Sequence, residues 1–234
     1  MIKRVLCERE LGALPLTGVE PQKIRALCRA YGFEYDFCRV YAQGERAFLS
    51  LLDGSAVLWA AQGADFGELA DFLRMNGFSE LFCGGEAARE LSARLGLAPR
   101  QALLMRFDGR TQEFPVDYSP QLSDVYAIVG QAFGMEFEPW YLDLSHRIRH
   151  GVSTAALAGR SALVIQHRAN GEALLSQVAT DLLYRGQGSA SKLILGVCAA
   201  LSPDRVFVLC ERRLEGFYAR LGFTVQDVKY ILNR

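Results

Sequence analysis

Residues Tyr184-Arg185-Gly186-Gln187-Gly188-Ser189-Ala190 are followed by SKLILGVCAAL (191–201), so two glycines and no acid separate a strand-like stretch from a helix-like one. Glycine has no Cβ and readily adopts positive φ, which suits tight turns and lets a backbone approach a ligand closely. Ahead of a helix, such a turn aims unpaired N–H groups at one point, and the helix dipole adds partial positive charge there. That is an anion cradle, most often for phosphate. An ordinary strand-to-helix turn with an arginine beside it reads the same way, so the flanks decide.

Upstream, SDVYAIVGQAF (Ser123–Phe133) opens with a capping Ser and carries apolar residues at helical spacing. Pro139 begins a second helical run, WYLDLSHRIRH, which Gly151 closes. Three strand-like segments follow, STAALA, SALVIQHR and EALLSQVA, joined at Gly159-Arg160 and at Asn170-Gly171, a strong tight-hairpin signal. Past the glycine turn an apolar helix spans Ser189 to Leu201, Pro203 ends it, and VFVLC (206–210) reads as a buried strand. A short helix, LEGFYARLGF, is closed by Gly222, and TVQDVKYIL forms a last strand. The order α-α-β-β-β-α-β-α-β predicts an α/β (α+β) chain with a mixed central sheet flanked by helices. Its hairpins pair antiparallel, and the strand–helix–strand unit after the turn pairs parallel.

This order and two motifs resemble the GNAT superfamily of acetyl-CoA-dependent acyltransferases. The family signature is Arg/Gln-x-x-Gly-x-Gly/Ala between a strand and a helix, and Arg185-Gly186-Gln187-Gly188-Ser189-Ala190 fits each fixed position. A Tyr four residues before Gly-Phe on the last short helix is the second feature, matched by Tyr218 and Gly222-Phe223. The resemblance covers about residues 118–234 and implies that the loop holds a pyrophosphate.

The first 110 residues lack that loop but share its rhythm. Helix-like QKIRALCRAYG precedes strand-like DFCRVYA, AFLSLL and SAVLWA, with turns at Gln43-Gly44 and Asp53-Gly54. Helix-like DFGELADFLRMNG, strand-like SELFC, helix-like EAARELSARLGL and strand-like QALLMRF follow. Leu95-Gly96 aligns with Leu221-Gly222 at a shift of 126, and Ser79–Cys83 with Arg205–Leu209 at the same shift, whereas Gly54 and Gly171 differ by 117. The nine missing residues fall where the second half carries its loop. Two arrangements fit: a tandem duplication, with 1–108 a degenerate GNAT-like domain without the coenzyme loop and 118–234 a GNAT acetyltransferase domain, or two unrelated α/β pieces. FDGRTQEFPVDYSP (107–120) reads as the linker.

Lys+Arg and Asp+Glu balance at 26 each, which gives no electrostatic reason to expect nucleic acid or an acidic membrane surface as a partner. Cys7, Cys28, Cys38, Cys83, Cys198 and Cys210 form no Cys-x-x-Cys pair and read as reduced thiols of a cytoplasmic protein. His146 and His150 stand four apart without a third ligand nearby, so no metal is expected. The N-terminal stretch MIKRVLCERELG has charges breaking each apolar run, unlike a signal peptide, and no segment approaches a membrane span.

The resemblance implies roles residue by residue. Backbone amides around Gly186, Gln187, Gly188, Ser189 and Ala190 would hold the pyrophosphate of acetyl-CoA, with Arg185 adding charge. Val178 and Ala179, ordinary sheet core by their side chains, would offer backbone groups to the pantetheine arm and the thioester carbonyl. Tyr218 would protonate the leaving thiolate, although a Tyr on an amphipathic helix also suits simple packing. No carboxylate sits mid-strand before the loop, so a water chain or Glu211 would deprotonate the amine. In GMEFEPWYLD, Glu136 and Glu138 suit a cationic acceptor and Trp140 or Tyr141 could stack on it, or the acids are merely solvated. Three readings stay open: an N-acetyltransferase for a small-molecule or peptide amine, a non-catalytic coenzyme A-binding or regulatory module, and a tandem protein whose first half recognises a protein partner. Exposed sheet edges suit a homodimer.

Overall fold

Two residue pairs set the hairpins on which the halves are built. Asp53 (φ 45) with Gly54 (φ 84), and Asn170 (φ 51) with Gly171 (φ 71), all occupy the left-handed region, as a two-residue type I′ turn requires. The structure, a computed structural model, describes residues 1–234. The chain divides into two units, Met1–Leu103 with Asp227–Arg234, and Leu104–Gln226. No helix is long and apolar enough to cross a membrane.

In chain order the first unit holds β1 (Ile2–Arg4), α1 (Val19–Tyr31), β2 (Cys38–Gln43), β3 (Ala47–Leu52), β4 (Ser55–Ala60), α2 (Phe66–Asn76), β5 (Glu80–Cys83) and α3 (Gly85–Leu95). Strand β6 (Pro99–Phe107) leads into the second unit. There α4 (Leu122–Phe133), α5 (Phe137–Arg149), β7 (Thr154–Ala158), β8 (Ser161–Ala169), β9 (Glu172–Thr180), α6 (Ser189–Leu201), β10 (Arg205–Cys210) and α7 (Glu215–Arg220) follow, and the chain ends in β11 (Phe223–Asn233).

The strand order is β1-β2-β3-β4-β5-β11 in the first unit and β6-β10-β9-β8-β7 in the second. Each unit is thus an antiparallel meander (β2-β3-β4, β7-β8-β9) followed by one parallel pair. The parallel registers start at Ser55↔Glu80 and Glu172↔Arg205, so β5 maps onto β10 with a shift of 205 − 80 = 125. The sequence alignment of Ser79–Cys83 with Arg205–Leu209 is therefore one residue out. Leu81 and Val206 are both buried, and a slip of one would turn each to the opposite face.

Helix starts differ from expectation in two places. Ser123 does not cap α4: the N-cap is Gln121, onto whose carbonyl Asp124 and Val125 close the first turn. Helix α5 starts at Phe137 and Pro139 lies in its first turn, where a missing N–H leaves no hydrogen bond unmade. At the end of α7 the C-cap is Leu221, and Gly222 follows at φ 95.

Residues 227–234, which the sequence reading kept with the second half, fold into the first unit. There β11 pairs antiparallel with β5, Tyr230 opposite Cys83. Leu232 is fully buried against a core that includes Leu58, Leu73, Leu81 and Leu91, worth about 1.5–3 kcal/mol. Lys229 adds a buried ion pair, its Nζ 2.7 Å from Glu20 Oε1 and 2.8 Å from Asp227 Oδ2. Burial alone would lower the Lys229 pKa, but the two carboxylates outweigh it and raise it. Lys229→Met should leave the Glu20 carboxylate buried and unpaired and cost about 3–5 kcal/mol in urea unfolding. Glu20→Gln with Lys229→Met should recover most of that. The pair's contribution is fully present below the unfolded lysine pKa of about 10.4 and fades as pH rises through the higher folded value.

Candidate functional site

In the second unit β9 and β10 pair from Glu172↔Arg205 to Leu175↔Val208 and no further, although β9 continues to Thr180 and β10 to Cys210. On its other side β9 pairs with β8 at Ser176↔Val164 and Ala179↔Ala162. Gln177 and Val178 thus stand opposite the single residue Leu163, a β-bulge, with Gln177 at φ 51. A bulge bends and twists its strand. Here it accompanies the end of the β9–β10 ladder, leaving main-chain groups of Ser176–Thr180 on that side without a β10 partner. Ala179 is buried with Val125, Val129 and Ala162, so its side chain belongs to the core and only its backbone is available.

Beyond β9 the Asp181 carboxylate accepts from the Leu183 N–H at 3.1 Å and starts one turn of 3-10 helix. Arg185 Nε then donates to the Thr180 carbonyl at 3.2 Å. Gly186 (φ 79) and Gly188 (φ 77) turn the chain into α6. No side chain caps α6, and no acid lies in its first turn. The orphan N–H groups of that turn are therefore free for a ligand. They border a cavity of about 350 Å³, lined on one side by Arg185, Gly186, Gly188, Ser189 and Ala190 and on the other by Phe217, Arg220 and Leu221. Two guanidinium groups and no carboxylate line it. A diphosphate suits this donor set, since arginine and main-chain N–H groups both form charge-assisted bonds to its oxygens.

The remaining sequence candidates scatter. Gln187 is exposed in the loop but does not line the cavity. Tyr218 is 4% exposed, edge-on to Phe217 at 5.1 Å and Phe223 at 5.5 Å, and its neighbours Phe217 and Arg220 line the cavity in its place. Glu211 follows β10 and accepts from Arg213 Nε at 2.5 Å. On α5 and its N-cap, Glu136, Glu138 and Tyr141 are exposed. Trp140 is buried and donates from Nε1 to Gln177 Oε1 at 2.9 Å, so its ring is not free to stack on an acceptor. The exposed ring beside Tyr141 is that of Phe137, 5.4 Å away. Sequence reasoning missed Phe217, Arg220 and Leu221. The position of Arg220, two residues after Tyr218 on the same short helix, was the available signal. No three His, Cys, Asp or Glu side chains converge to hold a metal.

No family model and no curated protein sequence matches the chain. Solved structures do. A GCN5-related N-acetyltransferase from Kribbella flavida superposes with a TM-score of 0.64 at 16% identity, over 92% of this chain and 93% of its own. A tandem GNAT protein from the clavulanic acid biosynthesis pathway covers 100% of this chain and 98% of its own, at 13% identity and a TM-score of 0.60. A GCN5-related N-acetyltransferase from Sphaerobacter thermophilus shares 18% identity over 82% of this chain and 81% of its own, with a TM-score of 0.54. The chain has the GNAT fold, in tandem along its length.

Burial, with a smaller contribution from Cys210, pushes the Tyr218 phenol well above the ordinary tyrosine range. In a spectrophotometric titration, the difference between wild type and Tyr218→Phe should show no phenolate near pH 10, where ordinary tyrosines ionise, about half of each. The unfolded chain ionises Tyr218 at that lower pH, so wild type should lose stability relative to the variant as pH rises above about 10.

Proposed function

We propose that this protein is an N-acetyltransferase that moves an acetyl group from acetyl-CoA to a primary amine of a small molecule or peptide. The carrying observation is the uncapped α6 N-terminus, which faces an acid-free cavity with Arg185 and Arg220 that is also lined by Thr180, the last residue of β9 beyond the opened β9–β10 edge. Amides of Gly186–Ala190 and the Arg185 guanidinium hold the diphosphate. Backbone groups of Val178 and Ala179 bond the pantetheine arm and polarise the thioester carbonyl. The amine nitrogen attacks that carbon, the carbon–sulfur bond breaks, and Tyr218 delivers a proton to the departing thiolate. A water chain takes the amine proton, or Glu211 does once its bond to Arg213 opens. Glu136, Glu138 and Tyr141 border the acceptor's approach.

The first unit takes no coenzyme in this reading and is a copy that lost the site. Its helix α2, which follows β4 as α6 follows β9, is closed by Asp65, whose Oδ1 accepts from the N–H groups of Gly67 and Glu68 at 2.9 and 3.0 Å. Glu68 places a second carboxylate in that turn, and two acids at a helix N-terminus repel a phosphate.

Two observations favour a second reading, coenzyme binding without turnover: Tyr218 is buried outside the cavity lining, and Glu211 is paired. Thiol release from acetyl-CoA across an amine panel separates the two, since binding heat without thiol supports the module. Gly188→Val should weaken acetyl-CoA at least about tenfold, because φ 77 suits glycine and the loop then shifts from its ligand-holding conformation. No atom lies within 4 Å of a Cβ built there, so the melting temperature should move by only a few degrees, as a strain of about 1–2 kcal/mol implies. Unchanged coenzyme affinity in that variant counts against the assignment.

A further inference from the structure

Gln177 holds a backbone conformation that a side-chain-bearing residue adopts at a cost, φ 51, so some other interaction must keep it there. Its carboxamide is gripped from above. Trp140 Nε1 donates to its Oε1 at 2.9 Å, and its Nε2 lies 3.7 Å from Met135 Sδ. The Met135 carbonyl in turn accepts from Tyr126 Oη at 2.6 Å, which fixes the turn between α4 and α5. Trp140 packs in the cluster of Val125, Val129, Leu144 and Ala179, a place where phenylalanine would serve for packing alone. What the indole adds is a single polar handle, and it is spent on the bulge.

We propose that Trp140 is a positioning residue. Its indole N–H holds the Gln177 carboxamide, and thereby the left-handed backbone that sets the direction of the Val178 and Ala179 main-chain groups beside the opened β9–β10 edge. The inference rests on the acetyl-transfer reading, in which those groups grip the thioester. It also makes the α4–α5 turn, where the acceptor approaches, mechanically continuous with the carbonyl-polarising strand.

The test uses the full chain and thiol release from acetyl-CoA with the best amine of a panel. Trp140→Phe keeps the packing and removes the donor, and should lower kcat about tenfold, the worth of one hydrogen bond. KM for acetyl-CoA should rise by a smaller factor than kcat falls, because the pantetheine contact loosens while the diphosphate grip stays. Gln177→Met should behave alike, and the double variant should be no worse than either single one. Gln177→Gly in the Trp140→Phe background should restore part of kcat, since glycine adopts positive φ freely. Unchanged kcat, additive losses, or a loss that follows melting temperature alone would overturn the proposal. A readout without turnover is the NMR spectrum: in Trp140→Phe the Val178 and Ala179 amide resonances should shift while those of Gly186–Ala190 stay. If wild type releases no thiol with any amine, the acetyl-transfer reading fails by itself. If the Val178 and Ala179 amides do not move, the tether fails whatever the activity.

Discussion

The end of the β9–β10 ladder at Leu175 and Val208 is the constraint on which the candidate site depends. A fully paired sheet would leave no main-chain group for a ligand, because each N–H and C=O in its interior is already taken. The bulge at Gln177 and Val178 puts two β9 residues against one of β8, and the strand bends as a result. Such a bend must be held. Part of the holding comes from the Trp140 indole, which reaches down from α5 to the Gln177 carboxamide. The opening is therefore a built feature, supported from the helix layer above.

Charge decides what the neighbouring turn accepts. Helix α6 starts without a capping side chain or an acid, next to Arg185 and Arg220. Helix α2, at the corresponding place in the first unit, satisfies its own first turn through Asp65 and carries Glu68 beside it. One helix start thus offers donors to an anion, while the other has already used them. Each unit has an antiparallel meander followed by one parallel pair, so the contrast lies in the connection ahead of the helix, shorter between β4 and α2 than between β9 and α6, and in the side chains it carries.

The first unit is completed by the far end of the chain. Asp227–Arg234 join it, held by the β5–β11 ladder, by Leu232 in the core, and by Lys229 between Glu20 and Asp227. A buried ammonium persists only where carboxylates compensate its lost hydration, and these two do so. The same pair disfavours any arrangement of β11 that leaves Glu20 unmatched in the interior.

Local features were written in the sequence. The Asp53-Gly54 and Asn170-Gly171 turns, the α6 span from Ser189 to Leu201, and the uncapped glycine loop follow from backbone preferences within a few residues. Together with element order they pointed to the GNAT fold. What only the tertiary structure decided involves partners distant in sequence: the pairing of β11 with β5, the one-residue register of β5, the burial of Trp140 and Tyr218, and Arg220 facing the cavity. The left-handed Gln177 belongs with these. Nothing in Ser176-Gln177-Val178 marks it, because the donor that meets the Gln177 side chain lies 37 positions away, and local propensity carries no record of which distant donor will come to rest beside a side chain.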